Sequence, residues 1–121
     1  MDKCQKRLKQ ITKEFEQCNK MFVAIGDETR QQIILALLES DFNGIRVGEI
    51  TKKTHLSRPA VSHHLQILKE SGIINMRREG TKNYYYMDAN EVQWKQIAQL
   101  VNHIYEVVKD FAPMDNRNEV E

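Results

Sequence analysis

Apolar positions recur along this chain at two periods, and the change from one to the other divides it. From residue 3 to 25, Cys4, Leu8, Ile11, Phe15, Cys18, Phe22 and Ile25 alternate spacings of four and three. That is a coiled-coil type of helical stripe, with Lys and Glu on the other faces. Gly26 breaks it, and Asp27 with Glu28 supplies a capped, acidic start for a second helix whose core face is Ile33, Ile34, Leu37 and Leu38. The turn formers SDFNG, residues 40–44, predict a loop. A short helix follows within residues 45–54, IRVGEITKKT, with Val47 and Ile50 facing inward, and the link HLSR leads to the next element.

Residues 57–72, SRPAVSHHLQILKESG, carry a helix marked at both ends. Ser57 caps the first turn, Pro59 sits where a missing N–H costs nothing, and Gly72 suits a left-handed C-terminal turn. At about 100° per residue, Val61, Leu65 and Leu68 share one arc. Pro59, Ser62, His63 and Gln66 lie opposite, flanked by Arg58 and Lys69. Hydroxyl, imidazole, amide and guanidinium groups suit base edges and phosphates, although a solvated amphipathic face has the same pattern. A short helix, a tight turn anchored by Leu56 and a capped second helix make a helix-turn-helix over residues 46–72.

After Gly72 the period falls to 2. Ile73 to Arg78 and Lys82 to Met87 predict a β-hairpin, residues 73–87, turning at Glu79, Gly80 and Thr81. Arg77, Arg78 and Lys82 stand near its tip and Tyr84, Tyr85 and Tyr86 on the return strand. A last helix within residues 89–111 carries Ile97, Leu100, Val101, Ile104, Val108 and Phe111 along one side, widened by Trp94, Tyr105 and Val107. Apolar surface at both ends of the chain exceeds what one small domain needs, so the terminal helices are expected to pair in a homodimer. Residues 112–121 read as a tail.

A length of 121 residues fits a single domain, 1–121, and 40% hydrophobic with 29% charged residues fits a folded chain. No apolar run approaches the roughly 20 residues that span a bilayer, and the charged N-terminus lacks a signal-peptide core. A cytoplasmic location without membrane contact is expected. The formal charge of +1 is unevenly spread: residues 46–86 hold eight Lys or Arg against three acids, +5, which leaves −4 elsewhere. That local field points to nucleic acid.

Cys4 and Cys18 lie fourteen positions apart on one helix, about 21 Å of rise, too far for an intramolecular disulfide. They read as small apolar fillers, with a redox or metal role across a dimer as the alternative. An enzyme is excluded by the lack of a phosphate-cradling glycine loop, paired carboxylates or an activated nucleophile. No cofactor is expected.

The order of elements and four runs resemble the ArsR/SmtB family of bacterial repressors: GDETRQQIILALL (26–38), VGEI (47–50), LSRPAVSHHLQILKESGII (56–74) and RREGTKNYYY (77–86). The resemblance implies a mainly α (α+β) winged helix-turn-helix: four helices, a hairpin wing and a fifth helix, the terminal helices forming a dimer interface. It implies a transcriptional repressor on double-stranded DNA, an inverted repeat as operator, and release by an inducer the sequence does not identify. DNA contacts would fall on Ser57, Arg58, Ser62 and His63 and, in the wing, on Arg77, Arg78 and Lys82; Gln66 on the same polar face and Tyr84 on the return strand are further candidates by position. Ser62 and His63 would read bases, and Arg77 and Lys82 would meet phosphates. His64 resembles the family's structural histidine. The family's metal patterns are incomplete: VGEI stands where a CxC would, and His103 with Glu106 is half of a last-helix site whose other half falls on Asn90 and Val92. A metal-buffering or thiol-sensing protein using Cys4, Cys18 and His103 is the competing reading.

Overall fold

The computed structural model describes residues 2–40 and 42–112. Residues 113–121 of the expected tail and Asp41 of the loop lie outside the described residues. The helices are α1 (Lys3–Ile25), α2 (Glu28–Glu39), α3 (Val47–Thr54), α4 (Arg58–Glu70) and α5 (Glu91–Phe111), with strands β1 (Ile74–Glu79) and β2 (Lys82–Met87) before α5. This is the winged helix-turn-helix order expected from the sequence. The chain forms two compact units, Met1–Cys18 with Glu91–Glu121, and Asn19–Asn90.

The unit Asn19–Asn90 is built on Ile33, Leu37, Ile50, Val61, Leu65, Leu68, Ile73 and Ile74, all buried. Its first joint is electrostatic. A helix leaves four carbonyls unpaired at its C-terminus, and the start of α2 helps satisfy those of α1. Arg30 donates from Nε to the Ala24 carbonyl at 2.8 Å and from Nη2 to that of Val23 at 3.1 Å. Gln31 donates to the Ile25 carbonyl at 2.8 Å, and the Gly26 N–H takes that of Phe22. Asp27 caps α2 by accepting from the Arg30 N–H at 2.9 Å. That bond, helped by the Arg30 charge, holds the Asp27 carboxyl below its ordinary value against the opposing effect of desolvation.

The capping expected of α4 is present at both ends. Ser57 Oγ accepts from the Ala60 N–H. At the other end Gly72 takes φ 83°, the Gly72 N–H reaches the Lys69 carbonyl and the Ile73 N–H that of Leu68, both at 3.1 Å. This is a Schellman turn with Leu68 and Ile73 buried as its apolar pair. The hairpin is tighter than expected: Glu79 pairs with Lys82, so only Gly80 and Thr81 form the turn, with Gly80 at φ 63°. Ile45, expected at the start of the short helix, instead bridges Tyr85 through bonds of 2.9 and 2.8 Å. α3 begins two residues later, at Val47, and ends on His55 in the left-handed region, φ 59°.

In the unit Met1–Cys18 with Glu91–Glu121, the most buried line of α1 runs through Glu14 and Cys18, while Leu8 and Phe15 of the expected stripe are 48% and 46% exposed. On α5 only Leu100 is fully buried; Val101, Tyr105, Val108 and Phe111 are exposed. Arg7 pairs with Asp110 at 2.9 Å and lies 5.6 Å from the Phe111 ring centre. No helix among the described residues is long and apolar enough to cross a membrane.

Candidate nucleic-acid interface

Burial of Val61, Leu65 and Leu68 fixes the rotation of α4, and that rotation decides what its other face presents. Arg58, Ser62, His63 and Gln66 are exposed there, with Ser57 at the cap. The Ser57 oxygen accepts from the helix, which leaves its O–H free to donate. Gln66 donates to Glu70 at 2.9 Å, an exposed bond that a base edge can replace.

His64 is half-buried, and its Nδ1 lies 3.4 Å from Arg30 Nη1. A guanidinium only donates, so this contact is a hydrogen bond in the tautomer that leaves Nδ1 as the acceptor. One buried arginine thus ties the end of α1 to the middle of α4. Sequence reading passed over Arg30, although its spacing to Ile33 and Leu37, three and seven positions on, sets it on the buried side of α2.

The wing residues differ in how far the fold engages them. Arg77 is half-buried: its Nε bonds Glu79 at 3.0 Å, its guanidinium lies 4.8 Å from the Tyr84 ring centre, and it packs beside Gly44. Arg77 and Tyr84 are therefore engaged with each other. Arg78 donates to the Gly80 carbonyl at 3.0 Å, which stiffens the turn, and Lys82 is exposed. Gly44, at φ 111°, lets the chain pass the wing; a Cβ there would stand 3.1 Å from Tyr84 Cβ and 3.2 Å from the Tyr85 carbonyl oxygen.

A cleft of about 460 Å³, which sequence reading did not foresee, lies between the starts of α3 and α4 and the wing tip. Arg46, Glu49, Lys52, Arg58, Thr81 and Asn83 line it. Arg46 and Lys52 entered the sequence reading only as charges, because their convergence depends on where the wing tip comes to rest.

The metal and thiol candidates are not brought together. His103 Nδ1 contacts both carboxylate oxygens of buried Glu14, at 2.7 and 2.9 Å, whereas Glu106 pairs with Lys109 at 3.3 Å. No group of three or more metal-ligating side chains occurs among the described residues. Cys4 and Cys18 are free thiols. Burial, and then the Glu14 charge, push the Cys18 thiol up, away from the reactive thiolate.

The profile of the arsR family of bacterial regulatory proteins matches residues 27–76, from the α2 cap into β1. An HTH-type transcriptional regulator of Methanocaldococcus jannaschii is 38% identical over 90 residues, 74% of this chain and 97% of its own. The chain belongs to the ArsR family. It is similar also to the transcriptional repressor SdpR of Bacillus subtilis, 36% identical over 75 residues, 62% of this chain and 80% of that one. A Rhodococcus ArsR-like transcriptional regulator shares the fold, with a TM-score of 0.68 at 21% identity, covering 88% of this chain and 94% of its own. The ArsR-family chain is accordingly a DNA-binding transcriptional regulator and not an enzyme.

Proposed function

We propose that this ArsR-family chain is a homodimeric repressor that binds an inverted-repeat operator in double-stranded DNA and is released by a signal acting on the dimer. The observation that carries the reading is α4, whose Val61, Leu65 and Leu68 are fully buried while Arg58, Ser62, His63 and Gln66 face solvent. A helix held by one face and largely polar on the other is suited to a major groove. Ser62 and His63 are the base readers, with Gln66 beside them, and Ser57 donates to the backbone. Lys82 adds charge from the wing, and Arg77, Arg78 and Tyr84 shape it. The pairing of first and last helices is supported by the exposed Leu8, Phe15, Val101, Tyr105, Val108 and Phe111.

Fluorescence anisotropy with duplex DNA from upstream of the chain's own gene, against an unrelated duplex, tests the reading. The expected result is a preference for the upstream duplex, confined to a two-fold symmetric site in footprinting. Half-site centres should lie about one helical turn, or a multiple of it, apart. Equal affinity for both duplexes would remove the claim of a specific operator.

A further inference from the structure

The cleft at the wing tip carries an inference that rests on the DNA-binding reading and goes beyond its recognition helix. Most charged groups of the wing and of the α1–α2 joint are already used within the fold: Arg77 by Glu79 and Tyr84, Arg78 by Gly80, Arg30 by the end of α1. Arg46, Lys52 and Arg58 differ. All three are exposed, none is held by an ion pair or side-chain hydrogen bond among the described residues, and they converge from three places on one concavity of about 460 Å³. Three cations around one cleft are offset there only by Glu49, so their repulsion is relieved further when an anion enters. The neutral donors Thr81 and Asn83 complete the lining from the wing.

The floor is bare as well. Gly48 lines the cleft, and a Cβ added there meets nothing within 4 Å. At Gly48 itself, no side chain stands between an incoming oxyanion and the α3 backbone.

We infer that this cleft seats a phosphate of the DNA backbone, held by Arg46, Lys52 and Arg58, and that it adds to the sequence-independent grip expected of Arg77 and Lys82. The seat lies beside the N-terminal end of the recognition helix, where Arg58 belongs to both. A phosphate held there sets the depth and register of Ser62 and His63 against the bases, because backbone contacts position and base contacts specify. Glu49 is the opposing charge, and it weakens the seat.

Salt-dependent anisotropy with the full chain tests this, using the upstream duplex and an unrelated duplex of equal length. Arg46→Ala and Lys52→Ala should each lower affinity for both duplexes alike and reduce the slope of log K against log salt by about 0.9. Glu49→Gln should tighten binding to both. Gly48→Gln is the control for folding: its Cβ enters open space, so its melting temperature should hold or rise, while the longer side chain crowds the seat and affinity falls. A duplex with single neutral methylphosphonates should show one position per half-site whose replacement weakens the wild type but not the Arg46→Ala, Lys52→Ala double variant.

Wild-type protein that binds neither duplex overturns the DNA reading and the seat with it. Wild-type protein that binds, together with Arg46→Ala and Lys52→Ala variants of unchanged affinity and slope, overturns the seat alone. So does loss of preference between the duplexes in these variants, since that is the signature of base reading.

Discussion

Arg30 shows how much one side chain can be asked to do in a small domain. Three of its donors go to two carbonyls of α1 and to His64 of α4, so its removal leaves buried acceptors without partners. Arg30→Met should cost about 2–4 kcal/mol in chemical denaturation, and Arg30→Lys should recover only part, because an ammonium cannot reproduce the planar fork. Asp27 adds a pH dependence of known sign. Its folded-state carboxyl sits below the ordinary value, so the stability it lends is complete above the unfolded pKa of about 3.9 and is lost as pH falls through the folded value. Asp27→Asn should flatten that acid limb of the stability curve; an unchanged limb would show that the cap is immaterial. The thiols offer a third check. Cys18 is buried and its thiol raised, so iodoacetamide at pH 8 should modify half-exposed Cys4 well before Cys18, and both at similar rates in denaturant. Equal rates in the native protein would contradict the burial.

At the scale of elements, what could be read in advance is what local chemistry determines. Ser57, Pro59 and Gly72 mark α4 because capping and left-handed turns are decided within a few residues, and the rotation of α4 follows from Val61, Leu65 and Leu68 alone. Ile45 was legible only as part of a helix, since its bridge to Tyr85 depends on a strand forty residues later. The same distance hid the cleft: Arg46 and Lys52 reach the wing tip through the fold, not through spacing. On α1, the apolar stripe was read through Leu8 and Phe15, but the buried line passes through Glu14, whose burial is compensated by His103 from the other end of the chain. A periodicity count treats a paired carboxylate as surface. The division of labour between α4 and the wing can still be tested element by element. His63→Ala should relax preference among operator variants, each mismatch being worth about 1–3 kcal/mol when read, whereas Lys82→Ala should weaken all sequences together. Equal loss of specificity from both would break the division.

For the whole molecule, the question is what the apolar surface on the terminal helices is for. Val101 and Val108 are 54% and 59% exposed on α5, with Tyr105 on the turn between them and Leu8 and Phe15 on α1. Charges placed at such exposed positions cost a lone protomer little, roughly within 0.5 kcal/mol, but would be ruinous inside an interface, where an unpaired buried charge is costly. A Val101→Glu, Val108→Glu double variant should therefore keep its helical circular dichroism while its sedimentation mass falls from twice the chain to the 14.2 kDa of one chain. DNA binding should fall with it. Two linked readers gain effective concentration, an avidity of about 10²–10⁴ over one, so the variant should bind a full inverted repeat scarcely better than a single half-site. If the double variant instead sediments as the wild type does and still prefers the full repeat, the two readers are joined through some other surface. The exposed valines would then be ordinary solvent-facing residues of a helix whose core contact is Leu100.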